Sequence, residues 1–165
     1  MKQIFLLPGQ WAVPHEPSEL TTILGPCVAV CLFDRARGMG GMNHFLLAAG
    51  GASSRERSRY GDTSCEDLVQ CLFASGSRPG DIEARVVGGA NVGRLPTPEG
   101  ESLGERNAEM ARAVLRRHRI EIGFEDTGGS NARRLRFRTG VGILEVKTID
   151  GASSSVATIA AGPLS

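Results

Sequence analysis

The chain has 165 residues, a net charge of +1, 41% hydrophobic residues and 22 glycines. This length suits one domain with a sizeable hydrophobic core. The near-neutral charge excludes a strong overall attraction to nucleic acid or to a membrane surface, and no apolar stretch approaches the length of a membrane span. The short apolar run near the N-terminus lacks the features of a signal peptide, so we expect a cytoplasmic protein.

The first third of the chain predicts a strand and then a β-hairpin. Residues 3–13 combine apolar residues with a Pro-Gly turn. Residues 21–48 hold two apolar runs of strand length around a short polar segment that ends in glycine, which is typical of a hairpin. A tight turn centred on residues 35–36 would place Cys27 directly opposite His44, with Cβ atoms roughly 5 Å apart. The hairpin is therefore predicted to bring a thiol next to an imidazole.

A cysteine beside a histidine has a catalytic and a structural interpretation. The imidazole can lower the pKa of the thiol and later pass its proton to a leaving group, which makes the cysteine a nucleophile. Free cysteine is also among the most buried residue types and behaves as a small hydrophobe. Because a lone pair such as Cys27 and His44 is structural more often than catalytic, the surrounding residues have to decide between the two.

The other cysteines favour neither a disulfide framework nor a metal site. A cytosolic protein keeps its thiols reduced. Cys27 and Cys31 would lie on one strand with a side chain between them, and Cys65 and Cys71 lack the spacing of zinc ligands. We expect no metal and no cofactor. Cys65 and Cys71 are expected to lie on a helix and to serve its packing.

The rest of the chain alternates predicted helices and strands. Two capping boxes, in which Ser or Thr precedes Glu by three residues, mark the helix starts, and Gly76 suits the end of the first helix. The predicted elements are a helix from Thr63, a strand over 82–87 that ends in a glycine pair, a loop over 92–101, a helix from Ser102, and strands over 120–124, 134–138 and 141–148. Residues 151–165 are rich in Ala, Ser and Gly and predict a disordered tail after a single domain over 1–150.

This order of elements mixes hairpins with crossovers, which predicts an α+β layered sandwich. Two arginine clusters stand out, one on the second helix and one on the strand that carries Leu135 and Phe137. They form either a solvated face with acidic neighbours or a surface that steers an acidic protein partner. A nucleic-acid interface is less well supported, because no aromatic residues alternate with these arginines.

Several motifs together resemble the CheD family, the bacterial chemoreceptor glutamine deamidases. Each glycine-rich piece is a weak signal alone, but their joint order and spacing are specific, and they span nearly the whole chain. They are GQWAV at 9–13, LGPCVAVCLFD at 24–34, GGMNHFLL at 40–47, RYGDT at 59–63, GGAN at 88–91, GERN at 104–107, EDTGG at 125–129 and RRLRF at 133–137.

The resemblance implies a hydrolase of chemotaxis that converts specific glutamines of methyl-accepting chemoreceptors to glutamate through a thioester. It implies Cys27 as nucleophile, His44 as proton carrier and Thr21, through its backbone carbonyl, as the group that orients His44. The adjacent Thr22 is the alternative for this last role. A weak methylesterase activity would use the same residues. The implied fold is a mixed β-sandwich with helices outside, similar to the catalytic domain of deamidating toxins. Partners would be the receptors and a CheC-type phosphatase.

One departure from the family pattern leaves a second function open. The family usually has serine before the nucleophile, whereas this chain has Pro26, which lacks an N–H group and has a fixed φ. A chain with an impaired site could serve as an adaptor that binds a CheC-type phosphatase and receptors. A papain-like peptidase is less well supported, because Cys27 opens a predicted strand rather than a helix.

Overall fold

Two five-stranded β-sheets pack face to face, and two helices cover the far side of one sheet in the computed structural model. The structure describes residues 1–91, 100–150 and 153–164. The strands are β1 (Lys2–Phe5), β2 (Gln10–Ala12), β3 (Ser18–Leu24), β4 (Val28–Asp34), β5 (Met39–His44), β6 (Ile82–Gly88), β7 (Glu121–Thr127), β8 (Ala132–Arg138), β9 (Ile143–Asp150) and β10 (Ser153–Ile159), and the helices are α1 (Gly61–Ala74) and α2 (Leu103–Arg117). The predicted α+β sandwich with helices outside is confirmed.

The two sheets differ in how they are covered. The outer sheet has the strand order β1-β3-β8-β9-β10, and the central sheet has the order β2-β5-β4-β6-β7. Every residue of β4 and β6 is buried, because the central sheet packs against the outer sheet on one face and the helices on the other. This double coverage explains why β4 is a near-continuous apolar run. Strand β6 also carries two charged side chains, Glu83 and Arg85, which are buried as an ion pair at 2.9 Å. In β8, Leu135 and Phe137 face the core while Arg134 and Arg136 are exposed, as the alternation predicted.

The predicted hairpin exists, but its predicted register is wrong by two residues. Strands β4 and β5 pair antiparallel with Asp34 opposite Met39 and Cys31 opposite Met42. The connection is longer than the predicted two-residue turn, because the Asp34 carboxylate accepts hydrogen bonds from the N–H groups of residues 36 and 37. Gly38 completes the turn with a φ of 65°. The longer loop moves the residue opposite Cys27 from His44 to Leu46.

One of the two helices begins at the capping box that the sequence predicts. Helix α2 begins at the predicted capping box, in which Ser102 and Glu105 each bond the other's backbone. Helix α1 begins at Gly61, two residues before the predicted box. The Thr63 hydroxyl donates to the Arg57 carbonyl instead of capping the helix, so this predicted cap is wrong. Gly76 follows the last turn of α1 with a φ of 98°, as expected.

The predicted disordered tail is wrong for most of its length. Residues Ser153–Ile159 form β10, which pairs antiparallel with β9 over seven residue pairs. Beyond it, the Gly162 N–H donates to the Glu83 carboxylate at 2.8 Å. The Ser-rich composition suggested disorder, but pairing with a neighbouring strand satisfies the backbone. Most of the predicted loop over 92–101 lies outside the described residues.

Candidate active site

Cys27 and His44 lie on the same face of the central sheet, at the end where β4 begins and β5 ends. Val28 and Phe45 exchange two backbone hydrogen bonds, at 3.2 and 3.0 Å. Their side chains point towards the helices, so Cys27 and His44 point towards the outer sheet. This register makes Cys27 and His44 diagonal neighbours, a relationship with Cα atoms roughly 7–8 Å apart and side chains closer. The two residues therefore approach each other, although not as a directly opposed pair.

A buried amide interrupts the hairpin beside His44. The Asn43 side chain accepts a hydrogen bond from the Val30 N–H at 2.7 Å and donates to the Ser64 hydroxyl at 3.1 Å. Its oxygen takes the place of a backbone carbonyl in the ladder between β4 and β5. Asn43 thus links the hairpin to α1 immediately before the histidine.

His44 is held from the opposite sheet by Thr22. The Thr22 hydroxyl lies 2.7 Å from His44 Nδ1 and 2.7 Å from the Leu6 carbonyl oxygen. A hydroxyl has one hydrogen, and a carbonyl can only accept. Both contacts are satisfied when Thr22 donates to Leu6 and accepts from the Nδ1–H group of His44. This arrangement places the ring proton on Nδ1 and leaves Nε2 as an acceptor, and Nε2 is buried without a partner among the described residues.

The structure corrects the choice of Thr21 as the residue that holds His44. Side chains alternate along β3, and Thr22 is fully buried while Thr21 is only half-buried. The Thr21 carbonyl accepts the Leu6 N–H at 2.8 Å and so joins β1 to β3. Composition cannot distinguish the two adjacent threonines. Only the orientation of β3 shows which of the two side chains points towards His44.

Burial controls the ionisation of both groups. It raises the pKa of the Cys27 thiol above its ordinary value, an effect that the thiol's own backbone N–H partly offsets. It lowers the pKa of His44 from 6.5 to about 4, with a smaller opposing effect of the Leu6 carbonyl. Both groups are therefore neutral at pH 7. The expectation that the imidazole lowers the pKa of the thiol is not met in this structure.

A glycine pair at the end of β6 supports the segment before the nucleophile. The Gly89 N–H donates to the Cys27 carbonyl at 2.9 Å, and the Ala90 N–H donates to the Gly25 carbonyl at 3.0 Å. A Cβ atom on Gly88 would lie 2.3 Å from the Cys27 carbonyl oxygen, and one on Gly89 would lie 2.7 Å from the Gly104 oxygen. The GGAN motif therefore permits the close backbone approach that its glycines suggested.

Asn107, in the GERN motif, contacts the chain on both sides of the site. Its side-chain nitrogen donates to the carbonyl oxygens of Pro26 at 3.0 Å and Leu46 at 2.9 Å. In the sequence this asparagine is part of a motif that carries the family resemblance, and the motif alone predicts no role for it. A polar residue among the buried positions of an amphipathic helix is the signal that could have identified it.

The remaining thiols are poor nucleophiles. Burial raises the pKa of both Cys31 and Cys65 to about 12, and it raises the pKa of Cys71 as well. Cys65 packs in the core between α1 and the central sheet, as the helix pattern predicted. Among the described residues, no cluster of three or more His, Cys, Asp or Glu side chains could hold a metal ion. In the same part of the chain no helix has the length and apolarity needed to span a membrane.

The arginine cluster on α2 is largely paired with acidic side chains. Arg112 bonds Glu125 at 2.8 Å and Glu109 at 3.1 Å, and Arg117 bonds Glu66 at 3.0 Å. On β8, Arg133 is buried and pairs with Asp126 at 3.1 Å. These pairs favour the interpretation of the helix cluster as a solvated face with acidic neighbours.

The fold and the site define an α+β sandwich protein with a thiol and a neutral imidazole at one end of the sandwich, an arrangement suited to nucleophilic catalysis. A family model described as CheD chemotactic sensory transduction matches residues 47–148. A protein of Trichlorobacter lovleyi named probable chemoreceptor glutamine deamidase CheD is 39% identical over 145 residues, covering 87% of this chain and 89% of its own. A protein of the same name from Thiobacillus denitrificans is 38% identical over 148 residues, covering 87% and 72%. The chain belongs to the CheD family.

Among solved structures, the hypothetical protein YfiH of Bacillus licheniformis is 20% identical, with a TM-score of 0.42 over 66% of this chain and 46% of that one.

Proposed function

We propose that this protein deamidates glutamine side chains of methyl-accepting chemoreceptors, with Cys27 as nucleophile and His44 as general base and acid. The observation that supports it most directly is the hydrogen bond between the Thr22 hydroxyl and His44 Nδ1, which leaves Nε2 as an acceptor on the face that Cys27 shares, buried and without a partner among the described residues. The names of the relatives, probable chemoreceptor glutamine deamidases, indicate the substrate.

The ionisation of the pair favours a general-base mechanism. A thiolate–imidazolium ion pair would need a raised His44 pKa and a lowered Cys27 pKa, and burial shifts both pKa values the other way. His44 Nε2 therefore accepts the thiol proton as Cys27 Sγ attacks the carboxamide carbon. The reaction begins from two neutral groups, and charge develops only in the transition state.

The remaining steps return the site to its starting state. The attack forms a C–S bond and a tetrahedral oxyanion. His44 then transfers its proton to the amide nitrogen, the C–N bond breaks, and ammonia leaves a thioester. Water attacks the thioester while His44 accepts a proton, and collapse of the second tetrahedral intermediate releases glutamate and the Cys27 thiol, which regains the proton. A γ-methyl glutamate ester would release methanol by the same steps, which is the basis for the weak methylesterase activity.

Backbone N–H groups are the natural donors to the oxyanion, and each typically contributes about 3 kcal/mol. Pro26 has no N–H to offer, so we assign this role to the Cys27 N–H. The Pro26 carbonyl accepts from Asn107, a contact that serine at this position would also make. We therefore expect Pro26 to be compatible with activity.

The partners of the protein follow from the proposed substrate. We place the reaction in the cytoplasm on receptor segments, and we retain a CheC-type phosphatase as a proposed binding partner. The residues that the site uses are protein groups alone, so the mechanism calls for no metal and no cofactor.

Mass spectrometry of a glutamine-bearing chemoreceptor fragment tests the proposal. Wild type should convert specific glutamines to glutamate and Cys27→Ala should not, because the nucleophile is gone. Cys71→Ala is the matched control, since Cys71 is also a half-buried thiol but lies on α1 and should retain activity. Absence of conversion by folded wild type would contradict the deamidase and favour the adaptor alternative.

A further inference from the structure

The side chain of Asn107 joins the two chain segments that carry the reacting residues. Its nitrogen donates to the carbonyl of Pro26, which directly precedes Cys27, and to the carbonyl of Leu46, which follows His44 by two residues. Since both hydrogen bonds share one nitrogen, the two carbonyl oxygens lie at most about 6 Å apart. The contact therefore limits the separation of the two segments directly.

The orientation of this amide follows from its partners. Both partners are carbonyl oxygens, which only accept, so the nitrogen must face them. Asn107 Oδ1 is then buried without a partner among the described residues. A buried acceptor with no donor is unfavourable. The side chain therefore serves the two carbonyls that it bonds, whereas the other buried residues Ala108, Ala111 and Val114 of this helix are apolar and pack in the core.

Helix α2 provides a rigid support for the amide. Its first turn lies against the end of β6, where a Cβ atom on Gly104 would be 2.2 Å from the Gly89 oxygen. Gly89 in turn holds the Cys27 carbonyl. The segment before Cys27 is thus held from two sides, by the backbone of β6 and by the side chain of Asn107.

We infer that Asn107 is a positioning residue, which limits the separation of the Cys27 segment and the His44 segment so that Sγ can approach Nε2 for proton transfer. This inference rests on the proposed function, because it assigns Asn107 an effect that acts through Cys27 and His44. Loss of the Asn107 amide should reduce the effect of His44 on the reactivity of the Cys27 thiol more than it reduces the stability of the fold.

A double-mutant cycle on thiol alkylation tests this inference without a receptor substrate. The rate of iodoacetamide labelling of Cys27 is measured at pH 7 by peptide mass spectrometry in wild type, Asn107→Leu, His44→Ala and the double variant. We expect His44→Ala to slow labelling about tenfold or more, since positioned general bases contribute at least that much. In the Asn107→Leu background, removal of His44 should change the rate less than twofold.

Val114→Ala is the control for a general loss of stability. Val114 is a buried residue of the same helix and packs in the core away from Cys27 and His44, so His44 should keep its full effect on labelling in this background. Asn107→Ala is the second variant if Asn107→Leu does not fold, because it leaves space for water at the two carbonyls. Thermal melts of all variants identify the folded ones.

The outcomes separate the inference from the proposed function. An undiminished effect of His44 in both folded Asn107 variants would overturn the positioning role and leave the deamidase proposal intact. Equal labelling of wild type and His44→Ala would contradict the proposed coupling of Cys27 to His44, on which both proposals depend. A diminished effect in the Val114→Ala background as well would reduce Asn107 to a structural residue.

Discussion

The Thr22 hydroxyl lies 2.7 Å from His44 Nδ1 and joins the two sheets of the sandwich at the candidate site. The same hydroxyl donates to the Leu6 carbonyl, so the ring of His44 is fixed in one tautomer by a chain of two hydrogen bonds. In other Cys-His and Ser-His enzymes the group that orients the imidazole is often Asp or Asn. A neutral hydroxyl orients the ring without adding charge, which agrees with the low pKa of His44.

Replacing Thr22 with valine should reduce deamidation about 100-fold, because a misplaced general base costs roughly that much in rate. Valine keeps the shape of threonine and removes only the hydroxyl. Thr21→Val is the matched control, as Thr21 bonds Leu6 through its backbone and should stay within threefold of wild type. Steady-state rates on the receptor fragment measure both. A larger loss in Thr21→Val than in Thr22→Val would contradict the assignment of the orienting role to the Thr22 hydroxyl.

The activity should be nearly independent of pH between about 5 and 8. The pKa of His44 is lowered to about 4, so the base form of the ring is present throughout this range. Burial raises the pKa of Cys27, which keeps the thiol protonated at the alkaline end. The pH dependence of kcat/KM reports the free enzyme and should fall only near pH 4. An acidic limb near 6.5 would mean that His44 titrates as an exposed histidine.

Stability should also depend on the ionisation of His44. Below pH 6.5 the unfolded chain binds a proton at this residue that the folded chain does not bind until about pH 4. The folded state therefore loses stability as the pH falls through this window. Melting temperatures at pH 7 and pH 4.5 should differ more for wild type than for His44→Gln, which cannot titrate. Parallel losses in both proteins would assign the acid sensitivity to other groups.

The left-handed glycine at the end of β6 should tolerate no side chain. Gly88→Ala combines a strained φ of 117° with a Cβ atom 2.3 Å from the Cys27 carbonyl oxygen. Gly128→Ala is the control, since its φ of 82° is strained but no atom lies within 4 Å of the new Cβ. We expect a loss of about 1 kcal/mol in unfolding free energy for Gly128→Ala, and about 2 kcal/mol more for Gly88→Ala. Urea denaturation compares the two variants. Equal losses of unfolding free energy would show that the close contact with the Cys27 carbonyl oxygen adds no destabilisation.

Strand β10 should be visible by hydrogen exchange. Its pairing with β9 over seven residue pairs protects alternate amides, so peptides that cover residues 153–159 should exchange at least about tenfold more slowly than an unstructured chain. Truncation after Asp150 should lower the melting temperature, since it removes this pairing and the contact of Gly162 with Glu83. Exchange at the unprotected rate would support the disordered tail that composition suggested.

Local patterns in the sequence were sufficient for much of the fold. The alternation of Leu135 and Phe137 with arginines identified β8, and the Ser102–Glu105 pair identified the start of α2. The hairpin that carries Cys27 and His44 was also recognisable from two apolar runs around a glycine. Each of these signals depends on residues a few positions apart, where side-chain periodicity and capping act.

The sequence by itself indicated Cys27 and His44 as candidate site residues, and the tertiary structure decided how they approach each other and which other residues contact them. Thr22 rather than Thr21 reaches His44 because the outer sheet presents one face of β3 to the central sheet. Asn107 lies 81 residues from Pro26 in the chain, and β10 is ordered only because β9 offers it a partner. Such contacts depend on which layers pack together, and a hydrogen bond or a strand pairing between distant segments leaves no periodic signal in either segment alone.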